Sequence, residues 1–490
     1  MIDRRGAPSR ATAIVLAAGL ATRFGGNKLA AGLDGRPVLQ HVLDALAAAG
    51  IEDPVVVLGR DAELLEATIA WRAARPIRNA HPELGLSRSL QLGWDAAMSA
   101  TPQPDVAVVA LGDQPYLDPG VVLELLAEPL DSARPVVTAR HADGSRNPVR
   151  LEPAAAGLVL GASGDRGLGP LLDGRPDLVR EHLVSGENPD VDEPSDLVRM
   201  VAADWASRVR ANAEQVERFR AAPEGADFYA PVTRMFVADP GRQADPVLAA
   251  IVAIAHPDDT WLDIGAGAGR YALPLGRVVR EVIAVDPSES MLGALREGAG
   301  AAALANIRAL PGRWPPDSAL RAAIGSDPVA DVSLIAHVGY DVEAIVPFVE
   351  AMENASRRHC VAVLMVESPA AIAAPFWPIV HGEERVGLPA LPQFLELLAA
   401  RRAGHGVEMV AGEGRRWANR DELLGFLRRQ LWTVPGTSAD RRLEDALGAM
   451  TSGTADGAVE LRDSVARDIG IVRWPVASGS SSHPDRSKFR

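Results

Sequence analysis

Cysteine and lysine are almost missing from this 490-residue chain. A single cysteine, Cys360, permits no internal disulfide and no thiolate metal cluster, which fits a reducing, cytoplasmic setting and a role as a small core residue. Lys28 and Lys488 are the only lysines among 50 basic residues, so nearly every position where any cation suffices has been filled by Arg. Aromatic residues are few, at 4%. Long apolar runs are absent as well: VLAAIVAIA from Val247 reaches nine residues, far below the roughly 20 that a membrane-spanning helix needs. The net charge of −14 repels nucleic acid phosphates and anionic membranes, which leaves small molecules as the favoured partners. Arg4, Arg5 and Arg10 before AIVLAAGLA imitate a signal peptide, but the same run reads as a strand entering a loop.

What is present is an ordinary globular composition, 47% hydrophobic and 23% charged, long enough for two large domains. From residue 11 to about 200, β-rich runs such as TAIVLA, PVVVLG, DVAVVALGD and RPVVTAR alternate with helical stretches, which predicts a sheet covered by helices. The polar helical stretch DWASRVRANAEQVERFRAA from Asp204 reads as a connector, 201–227. A second alternating series follows over 228–476, and the Ser-rich, charged end 477–490 is expected to be disordered.

LAAGLATRFGGNK, Leu16 to Lys28, has a strand followed by a loop with Gly19, Gly25 and Gly26, where backbone N–H groups can approach phosphate oxygens. Its spacing is neither the Walker A pattern nor GxGxxG, and a glycine cluster by itself is equally a tight turn. Arg23 and Lys28 in the same loop change the balance. Arg is a planar fork and Lys a compact point charge, so a lysine retained in an arginine-rich chain marks a place where that difference matters. Lys28 is therefore read as a phosphate-handling residue. In VVALGDQPYLDP, Asp113 follows a strand at its carboxyl end, where it can hold Mg²⁺ or simply cap a turn. Asp190 and Asp192, two apart on one face of an extended segment, offer a second carboxylate.

LAAGLATRFGGNKL, GLSRSLQLGW, LGDQPYLDP, RNPVRL, GDRGLGPLL and DVDEPSDL occur in the order found in MobA-like NTP transferases, and the chain most resembles the molybdenum cofactor cytidylyltransferase branch over Thr12 to Met200. The resemblance implies a three-layer α/β/α, nucleotide-diphospho-sugar-transferase-like fold. It also implies that Leu16, Ala17, Ala18 and Gly19 contact the nucleotide, Arg23 and Lys28 hold its phosphates, and Asp113 binds Mg²⁺ with Asp192 or Asp190. LAAG is like the CTP-using members, and GLSRSL places Ser87, Arg88 and Ser89 on the acceptor side. The implied reaction is nucleotidyl transfer to a molybdopterin-type phosphate, with molybdoenzyme maturation partners downstream. An anion attacking an anion needs charge neutralisation and alignment more than a general base, so His41, His81 and His141 default to structural roles. Ala21-Thr22 in the loop and Glu193 in DVDEP depart from the family's usual residues without touching the charged set.

TWLDIGAGAGRYALPLG puts Asp263, Gly265, Gly267 and Gly269 at a strand-to-helix turn, and EVIAVDPSESML ends a further strand with Asp286 about 20 residues on. A glycine-rich turn followed by an acid is the logic of a nucleoside site, open to a dinucleotide enzyme. These residues resemble class I S-adenosylmethionine-dependent methyltransferases, from Phe228 to Val476. The resemblance implies a second Rossmann-like α/β/α domain in which Asp263, Gly265, Gly267 and Gly269 line the cofactor and Asp286 binds its ribose. After NIRALPGRWPP no acid stands where relatives contact the adenine. His337 and Tyr340 follow the fourth strand, facing substrate or simply structural, and the segment from Pro375 is a substrate cap or packing. The expected whole is a bifunctional transferase. Alternatives are a GTP-using enzyme, a different phosphorylated acceptor, or a second domain that binds S-adenosylmethionine without turning it over.

Overall fold

The computed structural model describes residues 10–476 apart from 143, 166, 221–226, 228–229, 231–232, 234–235, 238, 240, 243–244, 413–415, 454–457 and 463–467. The tail expected over 477–490 lies outside the described residues, as does Phe228. The chain forms two units, Met1–Met200 and Val201–Arg490.

The first unit is built on seven strands: β1 (Ala11–Ala17), β2 (Val55–Leu58), β3 (Arg75–Arg78), β4 (Val106–Leu111), β5 (Val136–Arg140), β6 (Val149–Leu151) and β7 (Val179–Leu183). Their order is β3-β2-β1-β4-β6-β5-β7, parallel except for β6, which runs antiparallel to both neighbours. The signal-like apolar run is the middle of this sheet. β1 is apolar throughout because both faces are covered: Ala13, Val15 and Ala17 pack with Val42 and Leu46 of the helix Val38–Ala48, whereas Ile14 and Leu16 pack with Leu90 and Trp94 of Leu86–Met98. That alternation makes three layers. β3, with two exposed arginines and a proline, is one edge strand, and β7 is the other.

The second unit has β8 (Thr260–Ile264), β9 (Glu281–Asp286), β10 (Ile307–Pro311), β11 (Ala330–Ala336), β12 (Ser356–Met365), β13 (Gly406–Val410) and β14 (Ile469–Pro475). The order is β10-β9-β8-β11-β12-β14-β13, with β14 antiparallel to both neighbours. Both units are Rossmann-like α/β folds. Cys360 is fully buried in β12, and burial pushes its thiol up to about 12.

The stretch read as a connector belongs to one helix, Pro194–Phe219. From Val201 onward its buried residues serve the second unit: Trp205 Nε1 donates to Val342 O at 2.8 Å, and Gln215 Nε2 to Glu383 and to Glu384 O. Val216 joins Phe376, Trp377, Val380, Trp417 and Leu427 in a helical core of its own. The polar, arginine-rich surface of this helix hides those buried positions, which are spaced at helical intervals. Among the described residues no helix is long and apolar enough to cross a membrane.

Candidate functional site

In the first unit the carboxyl ends of β1 and β4 present the loop after Ala17 beside Asp113. Lys28 Nζ lies 2.5 Å from Asp113 Oδ2 and 2.9 Å from Asp192 Oδ1, and Arg23 Nη2 lies 2.8 Å from Asp192 Oδ2. Lys28 is 8% exposed. Burial, the largest influence, would pull its ammonium down, but Asp113 and Asp192 overcome it and hold the group above the ordinary lysine value. Sequence neighbours alone do not make this arrangement. Val191 N donates to Asp113 O, laying the segment 190–192 along the end of β4, and Asp196 Oδ2 accepts from the backbone N–H groups of Asp192 and Glu193 at 2.8 and 2.7 Å, fixing the turn into the helix Pro194–Phe219.

Asp190 goes elsewhere. Its Oδ1 accepts from Gln114 Nε2 at 2.6 Å, and Gln114 also bonds Asn188 O. Burial first, then the neighbouring Asp113, raises the Asp190 carboxyl above the usual range. Asp113 and Asp192 thus converge on one cation, and Asp190 does not. Two carboxylates sharing a cation are the donor set a hard divalent ion takes, with phosphate oxygens and water completing its shell. Among the described residues no group of three or more His, Cys, Asp or Glu forms a metal site by itself.

Leu16, Ala17 and Ala18 are buried, and Gly19 is exposed with open space where a Cβ would stand. Ser87 and Ser89 are buried, and Ser89 Oγ accepts from Asn79 Nδ2 at 3.0 Å. Arg88, half-buried, has no side-chain hydrogen bond or ion pair among the described residues. Gly85, at φ +94, has the Gly164 backbone 2.6 Å from where its Cβ would be, so the GLSRSL and GDRGLG motifs meet there. Sequence reasoning missed Gln114, Asp196, Gly59 and Asn79. Gly59 is pressed against Ala18 O, and with Arg60, Arg78 and Asn79 it lines a cavity of about 510 Å³ at the ends of β2 and β3. The DVDEPSD spacing carried a helix-start signal for Asp196, whereas Asn79 had none. His141 bonds Asn147 O and Gly186 O, His41 bonds Leu33 O, and His81 pairs with Glu83.

In the second unit Gly265, Gly267 and Gly269 all have positive φ, and a Cβ on Gly265 would stand 2.4 Å from Val338 Cγ2. Gly265 N and Ala266 N donate to Val285 O, and Asp286 ties the loop to the next helix: Oδ2 accepts from Gly267 N and Oδ1 from Ser288 N, each at 2.8 Å. Each carboxylate oxygen retains a lone pair for a further donor. Burial raises the Asp286 carboxyl, and burial and then Asp286 push Asp263 up to about 7. Tyr340 is buried with its hydroxyl accepting from Met365 N at 2.8 Å. His337 sits at φ +58, its Nδ1 shielded and unpartnered, and burial lowers it to about 4.

The MobA-like NTP transferase domain family matches residues 13–182, and a methyltransferase domain family matches 262–317. A phosphoenolpyruvate guanylyltransferase of Sphaerobacter thermophilus is 31% identical over 33% of this chain and 75% of its own length. The chain belongs to the MobA-like NTP transferase family. It carries a class I methyltransferase-type domain in its second unit. A 3-deoxy-manno-octulosonate cytidylyltransferase of Geobacter metallireducens is 33% identical over 24% of this chain, and a bifunctional GlmU protein of Symbiobacterium thermophilum 28% over 31%. The chain spans only 43% and 32% of their lengths. Among solved structures, Rv0371c of Mycobacterium tuberculosis is similar over 39% of this chain and 97% of its own, at 27% identity and a TM-score of 0.35. A putative methyltransferase of Bacillus halodurans is similar over 47% and 99%, at 12% identity and a TM-score of 0.34.

Proposed function

We propose that the first unit transfers the nucleotidyl group of CTP to the terminal phosphate of a molybdopterin-type acceptor, and that the second transfers the methyl group of S-adenosylmethionine to a small acceptor. The observation that carries the first half is the convergence of Asp113 and Asp192 on Lys28 beside the glycine loop. An acceptor phosphate oxygen attacks the α-phosphorus, its bond to the bridging oxygen breaks, and pyrophosphate leaves. The residues of this chain supply alignment and positive charge: the loop after Ala17 positions the phosphates, and Lys28 and Arg23 neutralise them. Mg²⁺ bound by Asp113 and Asp192 would add charge neutralisation and orient the phosphate oxygens.

LAAG at Leu16 to Gly19 and the cytidylyltransferase relative support CTP. The guanylyltransferase relative, matched over more of its length, supports GTP as the second reading, with a different phosphorylated acceptor. Pyrophosphate release measured with each NTP and Mg²⁺ against molybdopterin-type and simpler phosphate or carboxylate acceptors decides between them. Preference for GTP would discard the cytidylyl assignment.

For the second unit, Asp286 has acceptor capacity left for ribose hydroxyls, and Gly267, with open space where a Cβ would stand, leaves room for the methionine portion. S-adenosylmethionine would supply the electrophilic methyl group. Equilibrium dialysis followed by a methyl-transfer assay on cell extract separates a turning-over enzyme from a sensor. The lone buried Cys360 supports a cytoplasmic setting for both activities.

A further inference from the structure

At the helical core of the second unit stands a cation with no counter-ion among the described residues. Arg385 stacks on Trp377 with its guanidinium carbon 3.9 Å from the ring centroid, which covers one face of the fork. Its Nη1 is shielded from solvent and meets no hydrogen-bond acceptor. No carboxylate among the described residues pairs with it: Glu383, two positions away, is engaged by Gln215 and Arg218. Burial alone pulls this guanidinium down to about 10.

Other covered arginines of the chain are treated differently. Arg150, fully buried, donates to Leu125 O, Glu128 O, Pro129 O and Glu152 Oε1. Arg428 is held by both oxygens of Asp440 and by Glu444. A partly desolvated charge that has gained neither acceptor nor counter-ion is costly unless something else pairs with it.

Beside Arg385 is a cavity of about 50 Å³, lined also by Asn212, Ser368, Ala371, Ala374 and Gly387. Ala370, Val386 and Leu388 complete its lining. Ser368 stands three residues beyond the end of β12, and Met365 N, the last of that strand, donates to Tyr340 in the loop after β11. The cavity therefore opens off the carboxyl edge of the sheet, the edge that also carries the Gly265–Gly269 turn. Asn212, on the helix Pro194–Phe219, donates to Val386 O, and both residues line the cavity.

We infer that this cavity is an anion subsite in which Arg385 receives the carboxylate of a small organic ligand. A planar guanidinium with one face stacked leaves its edge for bidentate pairing, and a carboxylate matches that fork in shape as well as charge. The space admits a group of that size and excludes a nucleotide. The role of the ligand as methyl acceptor rests on the methyltransferase reading above. Its binding at Arg385 does not.

The test uses the full-length protein at constant ionic strength, with chloride replaced stepwise by acetate or by inorganic phosphate, and follows tryptophan fluorescence and melting temperature. Acetate should give a saturable response with half-saturation on the order of millimolar. Arg385→Gln should weaken it by about tenfold or more. Ala371→Leu, which fills the cavity and keeps the guanidinium, should abolish the response, which covers the case in which Arg385→Gln does not fold. An unsaturable response, a wild-type response in either variant, or saturation by phosphate at lower concentration than acetate overturns the carboxylate subsite. S-adenosylmethionine binding, measured by dialysis on the same preparations, is the separate check on the ligand's role: its absence removes the methyl-acceptor assignment and leaves the subsite standing.

Discussion

The two sheets begin with the same half, a third, second, first and fourth strand side by side, and each carries its candidate site at the carboxyl edge of those strands. They equip that place in opposite ways. In the first unit, side-chain charges dominate: Lys28 and Arg23 face Asp113 and Asp192 across distances below 3 Å. In the second, the turn Gly265–Gly269 is organised by backbone, with Asp286 accepting from two N–H groups and, among the described residues, no lysine or arginine bonded to it. The contrast fits the ligands proposed. Phosphates and a divalent ion need fixed charges of both signs, whereas a ribose needs an acceptor and a tight backbone turn. One topology thus serves both chemistries, and the loop residues decide which.

The largest expected effect would break the comparison at its most charged point. Asp113→Asn removes a formal charge with little change of volume and should lower nucleotidyl transfer by about a thousandfold or more while S-adenosylmethionine binding is kept. Wild-type rates at saturating Mg²⁺ would show that Asp113 is only a turn residue. Asp192→Asn should be comparably damaging and Asp190→Asn much less so, because Asp190 is turned onto Gln114. The reverse ranking, read from kcat with CTP, would exchange their roles.

Lys28→Ala should cost roughly a hundredfold, about 2.7 kcal/mol. Lys28→Arg tests shape against charge. A wide fork must enter the narrow place between Asp113 and Asp192, so we expect it not to restore normal turnover, while Arg23→Lys at the more exposed position retains partial activity. Full activity in Lys28→Arg would make the lone lysine a compositional accident.

In the second unit, Asp286→Ala should weaken S-adenosylmethionine binding by about 1 to 3 kcal/mol, with nucleotidyl transfer unchanged. Equal loss of both activities, measured side by side, would remove the distinction between a charged and a backbone-built site.

The smallest effect concerns pH. The Asp263 carboxyl is raised from 3.8 to about 7, so the folded state binds a proton that the unfolded chain has released between those values. Its contribution to stability is therefore present below the unfolded value and is lost as pH rises through that window. Melting temperature should fall from pH 5 to pH 8, and Asp263→Asn should flatten the fall. An unchanged slope in the variant would assign the pH dependence to other groups.

Much of this was legible. Apolar runs located β1, β2, β4, β5, β8, β9 and β11, because strands covered on both faces must be apolar along most of their length. β3 and β13 escaped, being exposed edge strands whose residues carry no such pattern. The helix Pro194–Phe219 was legible as a helix but not as part of the second unit's helical core, since the partners of Trp205 and Gln215 lie more than 130 residues away in the chain.

The sequence by itself determined the parts: a glycine loop with one lysine, an aspartate closing a strand, a paired-aspartate segment, and a second glycine turn with its acid. Each is a local pattern, fixed by which residues can enter a turn or end a strand. Only the tertiary structure decided that Asp192 rather than Asp190 shares Lys28 with Asp113, and that Arg385 is covered without a counter-ion among the described residues. Both depend on distances between segments far apart in the chain. Electrostatic partnership falls off with distance in space and is indifferent to distance in sequence.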